Sequence, residues 1–165
     1  MDSMHPNAQL IREFYAAFND RDAARMAACY HPDVRFSDEV FVDLDGPRAA
    51  GMWRMLCERA GDLKIESSAI EADESTGSAH WEAWYTFSPT GRPVHNRIDA
   101  RFGFQGGLII RHRDSFGFWR WASQALGPLG SFLGWTPFVR NRVRSRASRN
   151  LDGFLRGQGR GDTVA

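Results

Sequence analysis

The chain has two cysteines, Cys29 and Cys57, no long apolar run and almost no net charge. Two cysteines on apolar, helix-patterned stretches are small buried hydrophobes rather than a disulfide framework, which fits a reducing compartment. No apolar stretch approaches the ~18 residues of a membrane span, and residues 1–7 lack a basic segment leading into an apolar run. The expected location is therefore cytoplasmic, with no transmembrane segment. A net charge of +1 argues against polyanion binding by the chain as a whole, so no nucleic-acid partner is expected. There is no glycine-rich phosphate loop and no Gly-x-Ser-x-Gly elbow, which disfavours a nucleotide enzyme or a serine hydrolase. The five histidines are scattered. Only His112 and Asp114 approach ligand spacing, too few donors for a metal site, so neither metal nor other cofactor is predicted.

What is present fits one domain, since 165 residues can bury roughly two thirds of the surface that the unfolded chain exposes. Leu10, Ile11, Phe14, Tyr15 and Phe18 recur at helical spacing over 8–19, with Asn7 as the expected cap. A second helix is predicted from Asp22 to His31, ended by Pro32 and carrying Tyr30 on its apolar face. Val34, Phe36 and Asp38 then alternate as a strand. After Gly46-Pro47 a third helix spans 49–60, with Trp53, Leu56, Cys57 and Ala60 in one stripe. From there the period changes to two, with strands predicted at 63–70, 80–87, 94–104 and 108–118, the last pair joined by Gln105-Gly106-Gly107. Helices followed by hairpin-linked strands indicate an α+β domain with helices on one sheet face.

Residues 128–165 differ in composition. Seven arginines against two aspartates give this region about +5, leaving about −4 on the rest. Thr136 and Pro137 open a helix whose stripe is Val139, Val143, Ala147, Leu151 and Phe154 or Leu155, flanked by arginine. The expected organisation is a domain over 1–127, a basic amphipathic helical extension over 128–156 and a disordered tail over 157–165. Packing on a second copy of the chain is the expected role of the basic helix, making the protein a homodimer.

The final long strand separates into two faces by alternation. Leu108, Ile110, His112, Asp114, Phe116 and Phe118 form the apolar face, and Ile109, Arg111, Arg113 and Ser115 the other. His112 and Asp114 thus share an apolar surface, where an isolated ionised carboxylate costs several kcal/mol and must pair or take up a proton. Such groups are candidates for proton transfer. Asp38 shares the side of Val34 and Phe36 and is the second candidate. Asp99 lies opposite Ile98, Ala100 and Phe102, and reaches the interior only through a bulge. Asn96 has the inward phase and can donate to a ligand carbonyl. Tyr15, Phe14, Trp53, Trp81, Tyr85 and Phe116 supply large surfaces for lining a cavity.

Three ordered pieces carry a resemblance: Phe14-Tyr15-Ala16-Ala17-Phe18-Asn19, then Tyr30-His31-Pro32-Asp33-Val34-Arg35-Phe36-Ser37-Asp38, and Gly107-Leu108-Ile109-Ile110-Arg111-His112-Arg113-Asp114. Over roughly 8–121 the chain resembles the nuclear transport factor 2-like superfamily, in its SnoaL-like polyketide cyclase and ketosteroid isomerase branch. The resemblance implies a cone-shaped, curved antiparallel sheet with three N-terminal helices enclosing a pocket. In the isomerases an aspartate matching Asp38 is the general base. The oxyanion-binding tyrosine matches Phe14, which has no hydroxyl, and the partnering acid matches Asp99 after a one-residue shift. In the cyclases an acid/base aspartate sits beside a histidine, as Asp114 does beside His112. Limonene epoxide hydrolase pairs an Arg-x-Asp with a later aspartate, and Arg97, Asp99 and Asp114 resemble that order. The expectation is a cofactor-independent acid/base enzyme, an isomerase, cyclase or lyase, acting on a small apolar carbonyl compound. The alternatives are a noncatalytic small-molecule-binding or protein-docking module and an epoxide hydrolase-like enzyme.

Overall fold

The computed structural model describes residues 4–59 and 61–161. Helix α1 (Pro6–Asn19) begins at His5, whose side chain accepts the Asn7 amide hydrogen at 3.1 Å. Asn7 is therefore not the cap. It sits inside the first turn, where its side-chain amide donates to the carbonyls of Asp73 and Glu74 and pins a distant turn to the helix. Helix α2 (Ala23–Ala28) is capped by Asp22 as its sequence suggests, but stops three residues before His31. Tyr30 and His31 instead open strand β1 (Tyr30–Ser37), because β1 gains a partner strand there and tertiary pairing overrides local helix propensity. Helix α3 is Gly46–Arg59.

The remaining strands are β2 (Lys64–Ala72), β3 (Thr76–Phe87), β4 (Arg92–Gln105) and β5 (Leu108–Ser115). The sheet order is β1-β5-β4-β3-β2. Three of the pairings are antiparallel, whereas β1 runs parallel to β5 and places Phe36 beside His112. Gln105 pairs with Leu108 across Gly106-Gly107. Both glycines have positive φ, 60° and 75°, the backbone that a two-residue primed hairpin turn requires.

A register shift at Gly103 and Phe104 corrects the strict alternation expected for β5. Ile109 is fully buried with His112 and Asp114 rather than lying on the outer face with Arg111 and Arg113. Helices α1 and α3 cover the inner face, and their side chains make the main core with Val34, Phe36, Trp81, Ile98 and Phe102.

Strand β5 ends at Ser115, not at Phe118. Phe118 instead starts helix α4 (Phe118–Leu126), which is followed by α5 (Pro128–Leu133) and α6 (Pro137–Gly161). Phe118, Trp121, Ala122 and Ala125 pack with Val94 and Val139 into a second core at the end of the sheet. Thr136 caps α6 through the Val139 amide at 3.4 Å. The helix continues through Gly161, beyond the end expected at 156, because adding residues to a nucleated helix costs little. Residues 162–165 of the expected tail lie outside the described residues.

Candidate functional site

Parallel pairing of β1 with β5 brings Tyr30, near the start of the chain, against His112 near the end of the sheet. His112 Nδ1 lies 2.8 Å from the Tyr30 hydroxyl, and Nε2 lies 2.9 Å from Asp114 Oδ1. The Trp53 indole N–H donates to the Tyr30 oxygen at 2.8 Å. An indole nitrogen can only donate, so the Tyr30 hydrogen is free to point at His112 Nδ1. The imidazole hydrogen then sits on Nε2 and faces Asp114. The result is a directed chain, Trp53 to Tyr30 to His112 to Asp114. His112 and Asp114 are 1% and 2% exposed, so each hydrogen bond works without competition from bulk water.

The rings of Phe14, Phe36, Trp53 and Phe102 surround the His112 imidazole at centroid distances of 4.5 to 6.1 Å. The interior, expected to enclose a pocket, is closely filled at this point. Two surface clefts of about 340 and 360 Å³ lie elsewhere. The first runs between Val40–Leu44 and α6, and the second lies between α1 and residues 67–70, where it reaches Tyr15. Neither is lined by His112 or Asp114.

Asp38 follows the last residue of β1. Its Oδ1 accepts the amide hydrogens of Val40 and Phe41 at 2.7 and 2.6 Å, a turn that folds the chain back along β1. Burial pushes this carboxyl up to about 7 against the pull of those two amides, and the charge of Asp114 adds to the rise. Tyr85 also feels Asp38, and burial is the main reason that its hydroxyl is pushed up to about 12. The Tyr85 oxygen accepts the Trp121 indole hydrogen at 2.8 Å.

Two buried donors have no partner among the described residues, the Tyr15 hydroxyl and the Trp81 indole nitrogen. Their rings are 5.9 Å apart. Tyr15 is raised well above the usual phenol range, first by burial and then by Asp114. Leaving a donor unsatisfied in this way costs about 1–3 kcal/mol, which a ligand oxygen would relieve.

The sequence-derived set divides into two groups. His112, Asp114, Phe14, Tyr15, Trp53 and Trp81 are buried in the interior, and Asp38, Tyr85 and Phe116 lie half-buried toward the α4 end. Asn96 shares the side of Val94 and Ile98 and is half-buried. Asp99 is not among them. It projects from the outer face, where its carboxylate holds His80 Nδ1 at 2.9 Å with its side chain 81% exposed. Arg97 lies on the same outer face and reaches Glu82, so Arg97, Asp99 and Asp114 are not brought together. No bulge in β4 turns Asp99 inward. Among the described residues no cluster of three or more histidine, cysteine, aspartate or glutamate side chains is placed to hold a metal ion.

Sequence reasoning missed Tyr30 and Trp121. Tyr30 shares the parity of Val34 and Phe36, and reading that alternation backward through Pro32 would have found it. Trp121 gives no signal, because it lies beyond the strand predicted to end at Phe118, in a stretch for which the sequence pattern predicts no element.

This topology, with a buried histidine and acid on the strand beside β1, defines a cone-type α+β fold. Residues 11–112 match the model of the SnoaL-like domain, and the chain belongs to that family. A search of curated proteins finds no match. The chain is similar in structure to a limonene epoxide hydrolase-like epoxide hydrolase from Mycobacterium tuberculosis. That pair has 19% identity and a TM-score of 0.63, with 78% of this chain and 95% of the other covered. It is similar to a nuclear transport factor 2-like protein from Burkholderia thailandensis at 19% identity and a TM-score of 0.65, over 76% of this chain and all of the other. The third is IdmH from Streptomyces antibioticus, a candidate polyketide cyclase, at 19% identity and a TM-score of 0.60, with coverages of 73% and 98%. At these identities the likeness establishes the fold.

Proposed function

We propose that the protein is a cofactor-independent acid/base catalyst acting on a small apolar carbonyl compound, in the manner of an isomerase, cyclase or lyase. The observation that carries this reading is the buried chain from Trp53 through Tyr30 and His112 to Asp114. Asp38, held near neutrality, has the proton affinity of an effective general base at physiological pH. Its Oδ1 is occupied by backbone amides, which leaves Oδ2 for substrate. Asp114 and His112 form the second acid/base pair, with Tyr30 and Trp53 fixing the imidazole. The unpartnered Tyr15 hydroxyl and Trp81 indole are donors suited to a substrate carbonyl oxygen. Fixed donors in a dry interior would stabilise an enolate as its charge develops. A ligand has to displace some of the aromatic packing to reach these groups.

The test is hydrogen–deuterium exchange next to the carbonyl in a panel of cyclic ketones and β-diketones, with the wild type, Asp114→Asn and Tyr15→Phe. Loss of exchange of about 10²-fold or more in Asp114→Asn, with both variants folded, supports catalysis. Tyr15→Phe removes an unsatisfied hydroxyl, so it should keep or raise Tm while slowing exchange. Full exchange in both variants defeats the proposal.

A second reading, a noncatalytic ligand-binding or docking module, draws on the close aromatic packing around His112. On that reading a small molecule copurifies chemically unchanged, and the Asp114→Asn protein retains it.

A further inference from the structure

The corner made by α4, α5 and the start of α6 exposes an unusual amount of large apolar surface. Trp119, Leu129, Phe132, Leu133, Trp135 and Phe138 are 43% to 77% exposed and lie within twenty residues of one another. From Trp121 to Val139 the chain has no charged residue, and Arg120 and Arg140 frame that stretch. Surface apolar residues occurring singly need no explanation, but a contiguous patch of aromatic rings does.

Polar groups at this corner are satisfied from within. The Trp119 indole N–H donates to the Ser131 carbonyl at 3.0 Å and that of Trp135 to the Phe132 carbonyl at 2.9 Å. The Thr136 hydroxyl donates to Leu133. Both indoles can therefore enter an apolar medium without stranding a donor.

Beside this tip lies one-signed charge. Arg142, Arg146 and Arg149 are exposed, and among the described residues none of the three makes an ion pair. They follow Phe138 at four, eight and eleven residues, which puts all four on one face of α6. Val139, Val143 and Leu151 turn toward the protein and pack against it. No acidic residue occurs between Asp114 and Asp152.

We infer that this corner docks on an anionic membrane surface. Trp119, Phe132, Trp135 and Phe138 would enter the headgroup–acyl boundary, and Arg142, Arg146 and Arg149 would lie over lipid phosphates. No helix among the described residues is long and apolar enough to cross a membrane, so the attachment is peripheral. Charge favours lipid over a second copy of this chain. A symmetric contact through the patch would bring two arginine rows together with no acid between them, and like charges facing across an interface disfavour it.

Flotation of the full chain with phosphatidylcholine vesicles, with and without phosphatidylglycerol, tests this. Two variants accompany the wild type: Arg142→Glu with Arg146→Glu and Arg149→Glu, and Phe132→Ser with Trp135→Ser and Phe138→Ser. All six positions are exposed, and an unchanged Tm confirms folding. Wild-type protein should float with the anionic vesicles and be released by salt. Each arginine near the surface is worth about fivefold in affinity, so the charge variant should bind at least about 100-fold more weakly. The aromatic variant should stay unbound and lose the blue shift of tryptophan fluorescence. Failure of the wild type to float, or equal flotation of either variant, overturns the inference. So does a dimer in sedimentation that the aromatic variant dissociates in the absence of vesicle binding, which assigns the patch to a second copy.

Discussion

Asp38 is held by two opposing influences: desolvation and the nearby Asp114 charge keep its proton on, while the amides of Val40 and Phe41 favour its ionised form. Desolvation wins and sets the carboxyl at about 7. A raised folded value means that the native state still holds a proton which the unfolded chain has already lost between about pH 4 and pH 7. Stability therefore falls as pH rises through that window and levels off above it. Asp38→Asn keeps the acceptor for both amides and removes the ionisation. Urea titrations at pH 5 and pH 8 should show a smaller fall in stability for the variant than for the wild type, the remainder including His80, which its hydrogen bond to Asp99 holds above the usual imidazole range. Its gain over the wild type at pH 8 should be at most about 4 kcal/mol, a ceiling because the side chain is only half-buried. If Asp38 is the base, wild-type exchange should climb with an apparent pKa near 7, and the variant should lose that limb. The residues of this site were unevenly legible in the sequence. Alternation along a single strand places His112 and Asp114 on the inner face because their neighbours are apolar. Asp99 falls on the other face by the same rule, and the structure keeps it there. The Asx-type turn of Asp38 and its desolvation arise together, which sequence offers only as alternatives.

At the scale of elements, the four hairpin-linked strands and helices α1 and α3 follow from period and turn chemistry. The α4–α5 hairpin does not. Phe116, Phe118 and Trp121 are aromatics that suit a strand as well as a helix, and the reason for the helix lies in contacts with Val94 and Val139 that are distant in sequence. The parallel β1–β5 pairing was hidden for the same reason, since it joins residues some eighty positions apart. Gly130 makes the hairpin possible. A Cβ there would run into the Ala122 carbonyl of α4, so the two helices touch backbone to backbone. Gly130→Ala must push α5 off α4, and a stability loss of about 2–3 kcal/mol is expected, in the range of overpacked sites. Denaturant unfolding measures the loss, and quenching of Trp119 should rise as its bond to Ser131 breaks. An unchanged midpoint would mean that α5 is not seated on α4.

Across the whole molecule, the arginine-rich helix reads from sequence as an extension, and its composition does set it apart from residues 1–127. Its packing does not. Leu151 is fully buried in the main core, and Leu155 closes against Gly51, where α3 has no side chain to obstruct it. Arg48 and Asp152 meet at 2.7 Å across the same seam, both partly exposed, and Phe154 lies under Arg54 and Arg59. The apolar contact should dominate this seam, because an exposed ion pair contributes about 0–1 kcal/mol, whereas emptying a buried leucine site costs about 2–5 kcal/mol. Leu151→Ala should therefore lower the unfolding free energy by that larger amount in a single cooperative transition, and Asp152→Asn should change it by less than about 1 kcal/mol. A separable appendage behaves differently: Leu151→Ala would melt α6 early, as a distinct helical loss by circular dichroism, and leave the main transition in place. One transition, shifted as a whole, is the outcome that makes α6 part of the same folding unit as the strand carrying His112 and Asp114.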